Sequence, residues 1–109
     1  MSTETIIKVE LATSEALYKG AMAIRKQVFV KEQRIPESKE FDGNDFCAAH
    51  VVAYVQKNNR RLPIGTMRIR FFSDFVKFER MAVIRNFRKT NGRQFVCRLS
   101  VSILPQLPI

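Results

Sequence analysis

The segment from Phe46 to Val55, FCAAHVVAYV, constrains the fold most, because it is apolar on both faces. Such a strand is typical of a sheet that is covered on each side, since both faces must then be buried away from water. A sheet with one solvated face would show polar residues at alternate positions instead. The sequence therefore predicts a central strand, and with it a fold in which helices pack against a sheet.

One strand and one helix are predicted before this segment. Thr5 to Leu11, TIIKVEL, has the alternation of a strand, and its odd-numbered apolar residues are expected to face the core. Ser14 is a plausible N-cap, and apolar residues then recur at helical spacing as far as Ile35-Pro36. We expect one amphipathic helix here, continuous or broken near Lys31.

Two further strands are predicted after the central one. A turn at Lys57 to Arg61 leads into Ile64–Phe72, and Phe75 to Val83 follows as the last strand of an antiparallel meander. In Ile64–Phe72 the alternation predicts one apolar face, formed by Met67, Ile69 and Phe71. In the last strand strict alternation places four residues on one face: Lys77, Glu79, Met81 and Val83.

The charge of the chain is strongly asymmetric. The 109 residues carry a net charge of +9, yet residues 1–59 hold eight basic and eight acidic side chains. The excess therefore lies in residues 60–109, with eleven basic against two acidic side chains. This pattern favours a polyanionic partner, either a nucleic acid or a phosphate-bearing cofactor, and charge alone does not choose between them. A basic solvated surface without a specific ligand is the third reading.

Cysteine content and hydropathy suggest the compartment. Cys47 and Cys97 are too few and too far apart for a disulfide framework, and they lack C-x-x-C spacing. The N-terminal residues do not have the pattern of a secretory signal, and no segment has the length of a membrane span. We therefore expect a cytoplasmic protein, and a single domain over residues 1–109.

Two polar features precede or enter the central strand. Glu37, Glu40, Asp42 and Asp45 cluster in the turn-rich segment PESKEFDGND, where a solvated loop is the favoured reading and orientation of a cationic substrate is the alternative. Their spacing does not match a calcium-binding loop, and no metal site is predicted. His50 lies within the strand, where a hydrogen-bonded core residue is favoured over a catalytic base.

The stretch from Phe78 to Arg93, FERMAVIRNFRKTNGR, couples an apolar strand to a basic turn and then an expected helix. Unpaired backbone N–H groups at a helix N-terminus can bind a pyrophosphate, and the nearby basic side chains would strengthen that binding. Gly92 permits the positive φ that such a turn often needs. The sequence therefore predicts a phosphate-holding loop.

Three segments resemble the GNAT-type (GCN5-related) N-acetyltransferases, the acyl-CoA-dependent family. The helix IRKQVFVKEQRIP is similar to the R-x-x-V-F-x-x-E-Q-x-x-P segment of one bacterial branch. FDGNDFCAAHVVAY resembles the strand entry that follows in that branch, through Glu40, Asp42, Asp45 and His50. PIGTMRIRF and KFERMAVIRNFRKTNGRQFV are similar to the third and fourth strands and the cofactor loop. Together the segments cover about residues 5 to 97.

The resemblance implies an acyl-CoA N-acyltransferase fold of the α/β (mixed-sheet) class. The N-terminal half is expected to be a strand, a helix and an antiparallel meander, followed by the cofactor-loop helix, with most of the family's C-terminal half missing. A truncated reading frame, with weak cofactor binding and no turnover, is one hypothesis. An intertwined homodimer that supplies the missing strands is another.

The resemblance also implies the cofactor-binding residues. Acetyl-CoA is expected to pair its pantetheine arm with the backbone of the fourth strand at Met81, Ala82 and Val83. The pyrophosphate would then lie on the loop that corresponds to the family pattern Q/R-x-x-G-x-G/A, formed by Arg88, Lys89, Thr90, Asn91, Gly92 and Arg93. Arg93 stands where the family has glycine or alanine, and the sequence leaves open whether it blocks the phosphates or binds them by charge.

The implied reaction is acyl transfer from acetyl-CoA to an amine. Glu79, two residues before Met81, is the predicted general base, and an ion pair with Arg68 or Arg70 is its alternative role. Neither cysteine is implicated, because direct transfer needs no covalent enzyme intermediate. A small basic nucleic-acid-binding module and an inactive folded remnant remain as alternative functions.

Overall fold

The computed structural model describes residues 6–88. Four strands form one antiparallel sheet in the order β1-β2-β3-β4, with β1 at Ile6–Leu11, β2 at Ala48–Lys57, β3 at Arg60–Phe71 and β4 at Val76–Val83. Helix α1, Glu15–Arg25, continues into a π-helical segment, Lys26–Glu32, and a short helix α2 spans Glu37–Glu40. A single 3₁₀ turn, Arg85–Phe87, follows β4. The α/β fold class and the predicted meander are confirmed.

Helix α1 begins where the sequence predicts. The Leu17 amide donates to the Ser14 side-chain oxygen at 3.2 Å, which satisfies one of the backbone N–H groups that a helix N-terminus leaves unpaired. The helix does not continue in regular α geometry to Ile35. From Lys26 it widens into π-helical turns, and the Gln33 amide donates to the carbonyl of Val28, five residues earlier.

The hairpin between β2 and β3 is tighter than the sequence predicts. Asn58 and Asn59 form a two-residue connection, with φ of 52° and 63°. Consecutive positive φ values are typical of the type I′ turn that joins twisted strands, and asparagine tolerates them better than most residues do. The strands therefore extend to Lys57 and from Arg60, further than the apolar pattern alone indicates.

The sheet carries an apolar cluster on each face. Leu17 and Ala21 of α1 pack on Val52 and Tyr54 of β2 on one face, which we call the helix face. On the opposite face Val51, Met67 and Ile69 form a second buried cluster. β2 is therefore buried on both sides through Val51–Val55, which confirms that part of the predicted strand. Its predicted start is wrong, because β2 begins at Ala48 and Phe46 is 93% exposed.

Gly20 allows α1 to approach the sheet closely. A Cβ at this position would lie 2.8 Å from Cγ of Pro63, a rigid ring atom on β3. We therefore expect Gly20→Ala to destabilise the fold by about 1–3 kcal/mol through overpacking. The same change in an unobstructed helix would stabilise it by about 1 kcal/mol. Urea unfolding checks the sign, and Gly20→Ala with Pro63→Ala should recover most of the loss. A stabilised single variant would contradict the close packing.

Candidate functional site

A β-bulge interrupts β4 near its C-terminal end. Glu79 pairs with Arg68, but the next pair that follows joins Ala82 to Thr66. Arg80 and Met81 on β4 therefore stand opposite a single residue of β3, Met67. Arg80 has φ of 57°, a left-handed conformation that is uncommon for a residue other than glycine. The bulge removes part of the β4 backbone from the regular ladder.

The bulge corrects the predicted face of β4. Lys77 and Glu79 lie on the helix face, but Met81 packs on the opposite face with Val51 and Val83 packs there with Ala53. Ala82 points toward the helices. The expectation that Lys77, Glu79, Met81 and Val83 share one face is wrong, because one extra residue in a strand reverses the alternation beyond it.

Four carboxylates, those of Glu40, Asp42, Asp45 and Glu79, and one backbone carbonyl surround two buried arginines. Arg25, fully buried at the end of α1, donates from Nε to Glu40 and from Nη1 to Asp45, each at 2.7 Å. Its Nη2 donates to the Glu40 carbonyl at 2.8 Å. Arg68, 1% exposed in the middle of β3, bonds both oxygens of Asp42 and reaches Asp45 at 3.0 Å. We call these six residues, together with Arg80, the arginine–carboxylate network.

The bulge residue Arg80 belongs to the same network. It lies 3.1 Å from Glu40 and 3.2 Å from Asp42, and it also reaches the carbonyl oxygen of Lys39 at 3.4 Å. The Glu40 contact is an ion pair without a well-aligned hydrogen bond at Nε. These contacts tie the left-handed residue of β4 to α2 and the loop that follows it.

The solvated loop that the sequence favours is wrong for three of the four carboxylates of the acidic segment, whereas the side chain of Glu37 is 58% exposed. Glu40 is 2% exposed, and the side chains of Asp45 and Asp42 are 10% and 25% exposed. Buried carboxylates need partners, and the three arginines provide them. The second reading, direct orientation of a cationic substrate, would require these carboxylates to leave their arginines.

The network lowers the pKa of three carboxyl groups, those of Asp42, Asp45 and Glu79. Hydrogen bonds from Arg68 hold the pKa of Asp42 well below its usual range. Burial raises the pKa of Asp45, but bonds from Arg25 and Arg68 outweigh it and the value is lowered. Burial likewise raises the pKa of Glu79, and bonds from Arg68 lower it overall. Burial lowers the pKa of Arg68, but its contacts with Asp42, Asp45 and Glu79 raise that pKa overall. At neutral pH Asp42, Asp45 and Glu79 are therefore ionised and in contact with the charged Arg68.

Glu79, the predicted general base, faces cations. Arg68 donates to it from Nε at 2.9 Å and from Nη2, while Arg70 and Lys77 lie 3.7 Å and 3.5 Å away. Its side chain is 11% exposed. The ion pair that the sequence offered as the alternative role is thus present, and the catalytic role stays a prediction.

The predicted cofactor residues are described as far as Arg88. Met81 is half-buried, whereas Ala82 and Val83 are 3% and 1% exposed. Arg88 donates from Nε to the Val83 carbonyl at 2.6 Å and from Nη2 to Glu32 at 2.7 Å. Lys89, Thr90, Asn91, Gly92 and Arg93 lie outside the described residues. The described part of the predicted site is therefore contiguous along β4 and the turn that follows.

A cavity of about 440 Å³ borders the bulge. It lies between the helical segment and β4, and its lining is formed by Phe29, Ile35, Lys39, Glu40, Arg80 and Met81. Three of these side chains are apolar and three are charged. A space large enough for a small molecule therefore lies beside the bulge at Arg80 and Met81.

His50, at the start of β2, borders the arginine–carboxylate network through Asp45. It is 5% exposed, its Nε2 lies 3.1 Å from the Asp45 carbonyl, and the Tyr18 ring meets it edge-on at 5.3 Å. Burial lowers the pKa of its imidazole. This environment agrees with the predicted core histidine.

Residues 6–88 contain neither a cluster of metal ligands nor a membrane-spanning helix. No group of three or more histidine, cysteine, aspartate or glutamate side chains is arranged to hold a metal ion within that range. Among the same residues, every helix is too short or too polar to cross a membrane.

Sequence reasoning missed the buried arginines. Arg25 lies eight residues after Leu17 and four after Ala21, so it continues the apolar stripe of α1 and is buried with it. Arg68 alternates with Met67 and Ile69 in a strand with buried neighbours. A cation at a position that periodicity assigns to the interior, together with an unpaired acidic segment nearby, was the signal that could have revealed Arg25. Alternation placed Arg68 on the polar face of β3, so its burial gave no such signal.

Several known proteins are similar to this chain, although no protein-family model matches it. A Bacillus subtilis (strain 168) protein assigned as an acetyltransferase is 38% identical over 86 residues, which cover 76% of this chain and 56% of that protein. YjcF of the same organism, an uncharacterised N-acetyltransferase, is 33% identical over 82 residues, covering 75% and 56%. The chain thus spans about half the length of these curated relatives.

The fold has a counterpart among solved structures. A crystal structure from Lactobacillus plantarum, of a protein assigned as an N-acetyltransferase, matches with a TM-score of 0.79 at 26% identity. The match covers 92% of this chain and 68% of that one. The arrangement of β1 to β4 and the helices is therefore shared with a protein of that class.

Proposed function

Because the chain belongs to the GNAT family of N-acetyltransferases, we propose that it binds acetyl-CoA along β4 and transfers the acetyl group to a primary amine. The bulge at Arg80 and Met81, next to the cavity, is the observation that carries the proposal. Backbone groups that leave a ladder can bind a substrate through the main chain.

The residues along β4 suit an elongated thioester substrate. In the described sheet β4 is an edge strand, so its outer backbone groups have no partner strand among residues 6–88. We propose that Met81, Ala82 and Val83 present these groups to the pantetheine arm, except for the Val83 carbonyl, which already accepts a hydrogen bond from Arg88. Arg88 and the following loop, Lys89 to Arg93, would bind the pyrophosphate through backbone N–H groups and basic side chains.

The proposed reaction needs no covalent enzyme intermediate. The neutral amine attacks the thioester carbonyl carbon, a C–N bond forms, and the C–S bond then breaks. The electron pair of that bond stays with sulfur, and the proton lost by the amine ends on the thiolate. A backbone N–H at the bulge would stabilise the negative charge that develops on the carbonyl oxygen.

We propose Glu79 as the group that accepts the amine proton, through a water molecule. Its carboxylate is ionised at neutral pH, because contacts with Arg68 keep its pKa low. Glu79→Gln should lower kcat by about 100-fold while the Kd for acetyl-CoA stays within about twofold. Kinetics and calorimetry on one preparation measure both values. If Glu79 serves only as the ion-pair partner of Arg68, the variant will lose stability but keep its kcat.

Acetyl-CoA binding is the first property to measure. At a ligand concentration 100 times the Kd, a ligand that binds only the native state stabilises it by about 2.7 kcal/mol, so the thermal midpoint should rise by several degrees. ATP and a short oligonucleotide serve as polyanion controls and should produce no comparable rise. No rise with acetyl-CoA, or an equal rise with every polyanion, would contradict the proposed function and leave an inactive remnant or a general basic surface.

The alternative of a nucleic-acid-binding module gains no support from the similar proteins. Within the described residues, Arg68 and Arg80 of the basic half face carboxylates and are not displayed as a free basic patch. An intertwined homodimer that supplies the missing strands stays a prediction, which light scattering can test.

A further inference from the structure

The carboxylates near the cavity are already engaged by arginines. Glu40 contacts Arg25 and Arg80, and Asp42 contacts Arg68 and Arg80. Asp45 lies further along the same loop and is held by Arg25 and Arg68. An incoming ammonium group could bind one of these carboxylates only by displacing an arginine from it. The side chains of these arginines are largely or wholly buried.

One cationic side chain at the cavity, Lys39, is not held by a carboxylate among residues 6–88. Lys39 is exposed on α2 and lines the cavity, and its ammonium has no ion-pair partner among residues 6–88. Lys39 and Arg80 contribute two positive charges to the lining, and Glu40 contributes one negative charge. The lining is therefore cationic overall, and Lys39 is its available charge.

The remaining walls of the cavity are apolar. Phe29 of the π-helical segment, Ile35 and Met81 are all half-buried side chains that face it. Such a surface gains free energy by covering an apolar body of a ligand. Its volume of about 440 Å³ is within the range of small-molecule sites.

We propose that this cavity takes an amine acceptor that carries an anionic group and an apolar body, with the anionic group bound by Lys39. The proposal rests on the proposed acetyl transfer, because it places the acceptor next to the bulge at Met81. A polyamine, which would add only positive charge to a cationic lining, is disfavoured. Lys39 is thus a specificity-determining residue.

The test uses three probes that share a phenyl ring and differ in charge. L-phenylalanine carries the carboxylate and the amine, 2-phenylethylamine lacks the carboxylate, and 3-phenylpropionate lacks the amine. Backbone NMR titrations of the full chain, with and without CoA, give the Kd for each. We expect both carboxylates to bind about fivefold more tightly than 2-phenylethylamine, the upper end of the effect of one exposed charge pair, with shifts at Phe29, Lys39 and Met81.

Two charge reversals separate a local effect from a general one. Lys39→Glu should abolish or invert the preference for carboxylates. Lys31→Glu, an equal change at an exposed π-helical residue outside the cavity lining, should preserve it. The proposal is overturned if 2-phenylethylamine binds as tightly as the carboxylates, if no probe shifts the cavity resonances, or if both reversals act alike. Failure of the proposed function is read separately, from the absence of acetyl-CoA binding.

Discussion

Arg68→Met is expected to destabilise the fold by about 3–5 kcal/mol, the usual effect of removing one partner from a buried ion pair. The reason is that Asp42, Asp45 and Glu79 all accept hydrogen bonds from this one guanidinium, which is 1% exposed. A methionine can fill the volume but donates no hydrogen bond. Such a loss is a large fraction of the stability of a typical domain, so much of the variant should be unfolded at 37 °C.

Arg70→Met is the matched control. Arg70 lies two residues further along the same face of β3, its side chain is 29% exposed, and its ion pair with Glu79 is 3.7 Å long. We expect it to change the free energy of unfolding by less than about 1 kcal/mol. Urea unfolding at neutral pH measures both variants, and Arg68→Lys is available if Arg68→Met does not fold. Equal effects at the two positions would show that the network contributes no more than a surface pair.

Acidification is expected to remove a large part of the stability, in two stages. Burial lowers the pKa of His50, so below about pH 6.5 the unfolded chain takes up this proton before the folded one does. The pKa values of Asp42, Asp45 and Glu79 are also lower in the folded state. Their stabilisation is present above their unfolded pKa values, near pH 4, and is lost as pH falls further.

A series of urea midpoints from pH 8 to pH 3 resolves the two stages. The decline should be shallow between about pH 6.5 and 5 and steep below about pH 4.5. His50→Gln should flatten the first stage and leave the second, because glutamine does not titrate and its amide can still donate to the Asp45 carbonyl. An unchanged slope in this variant between pH 6.5 and 5 would assign the shallow stage to another group.

Most of the architecture could be predicted from periodicity. Strict alternation in Ile7 to Leu11 and in Met67 to Phe71 identified core faces that the structure confirms, since β-strand side chains alternate by geometry. The Ser14 cap was predictable because its side chain acts on a backbone amide only three residues away. These are local features, and neighbouring residues in the chain determine them.

The candidate site was predictable only in part. Met81, Ala82, Val83 and Arg88 follow from the resemblance to the family, and their role in acetyl-CoA binding stays a prediction. The bulge was not predictable, because Arg80 has none of the glycine or asparagine character that usually marks a left-handed residue. Without the bulge, alternation assigned Met81 and Val83 to the wrong face.

The sequence by itself determined the elements, their order and the two apolar faces of the sheet, because hydrophobic period and capping are properties of neighbouring residues. Only the tertiary structure decided which charges are structural. Arg25 meets Glu40 across 15 residues of chain and Arg68 meets Asp42 across 26, and each pair gains its strength from burial. A charge in a sequence shows neither its partner nor its distance from water, and these two quantities control its energy.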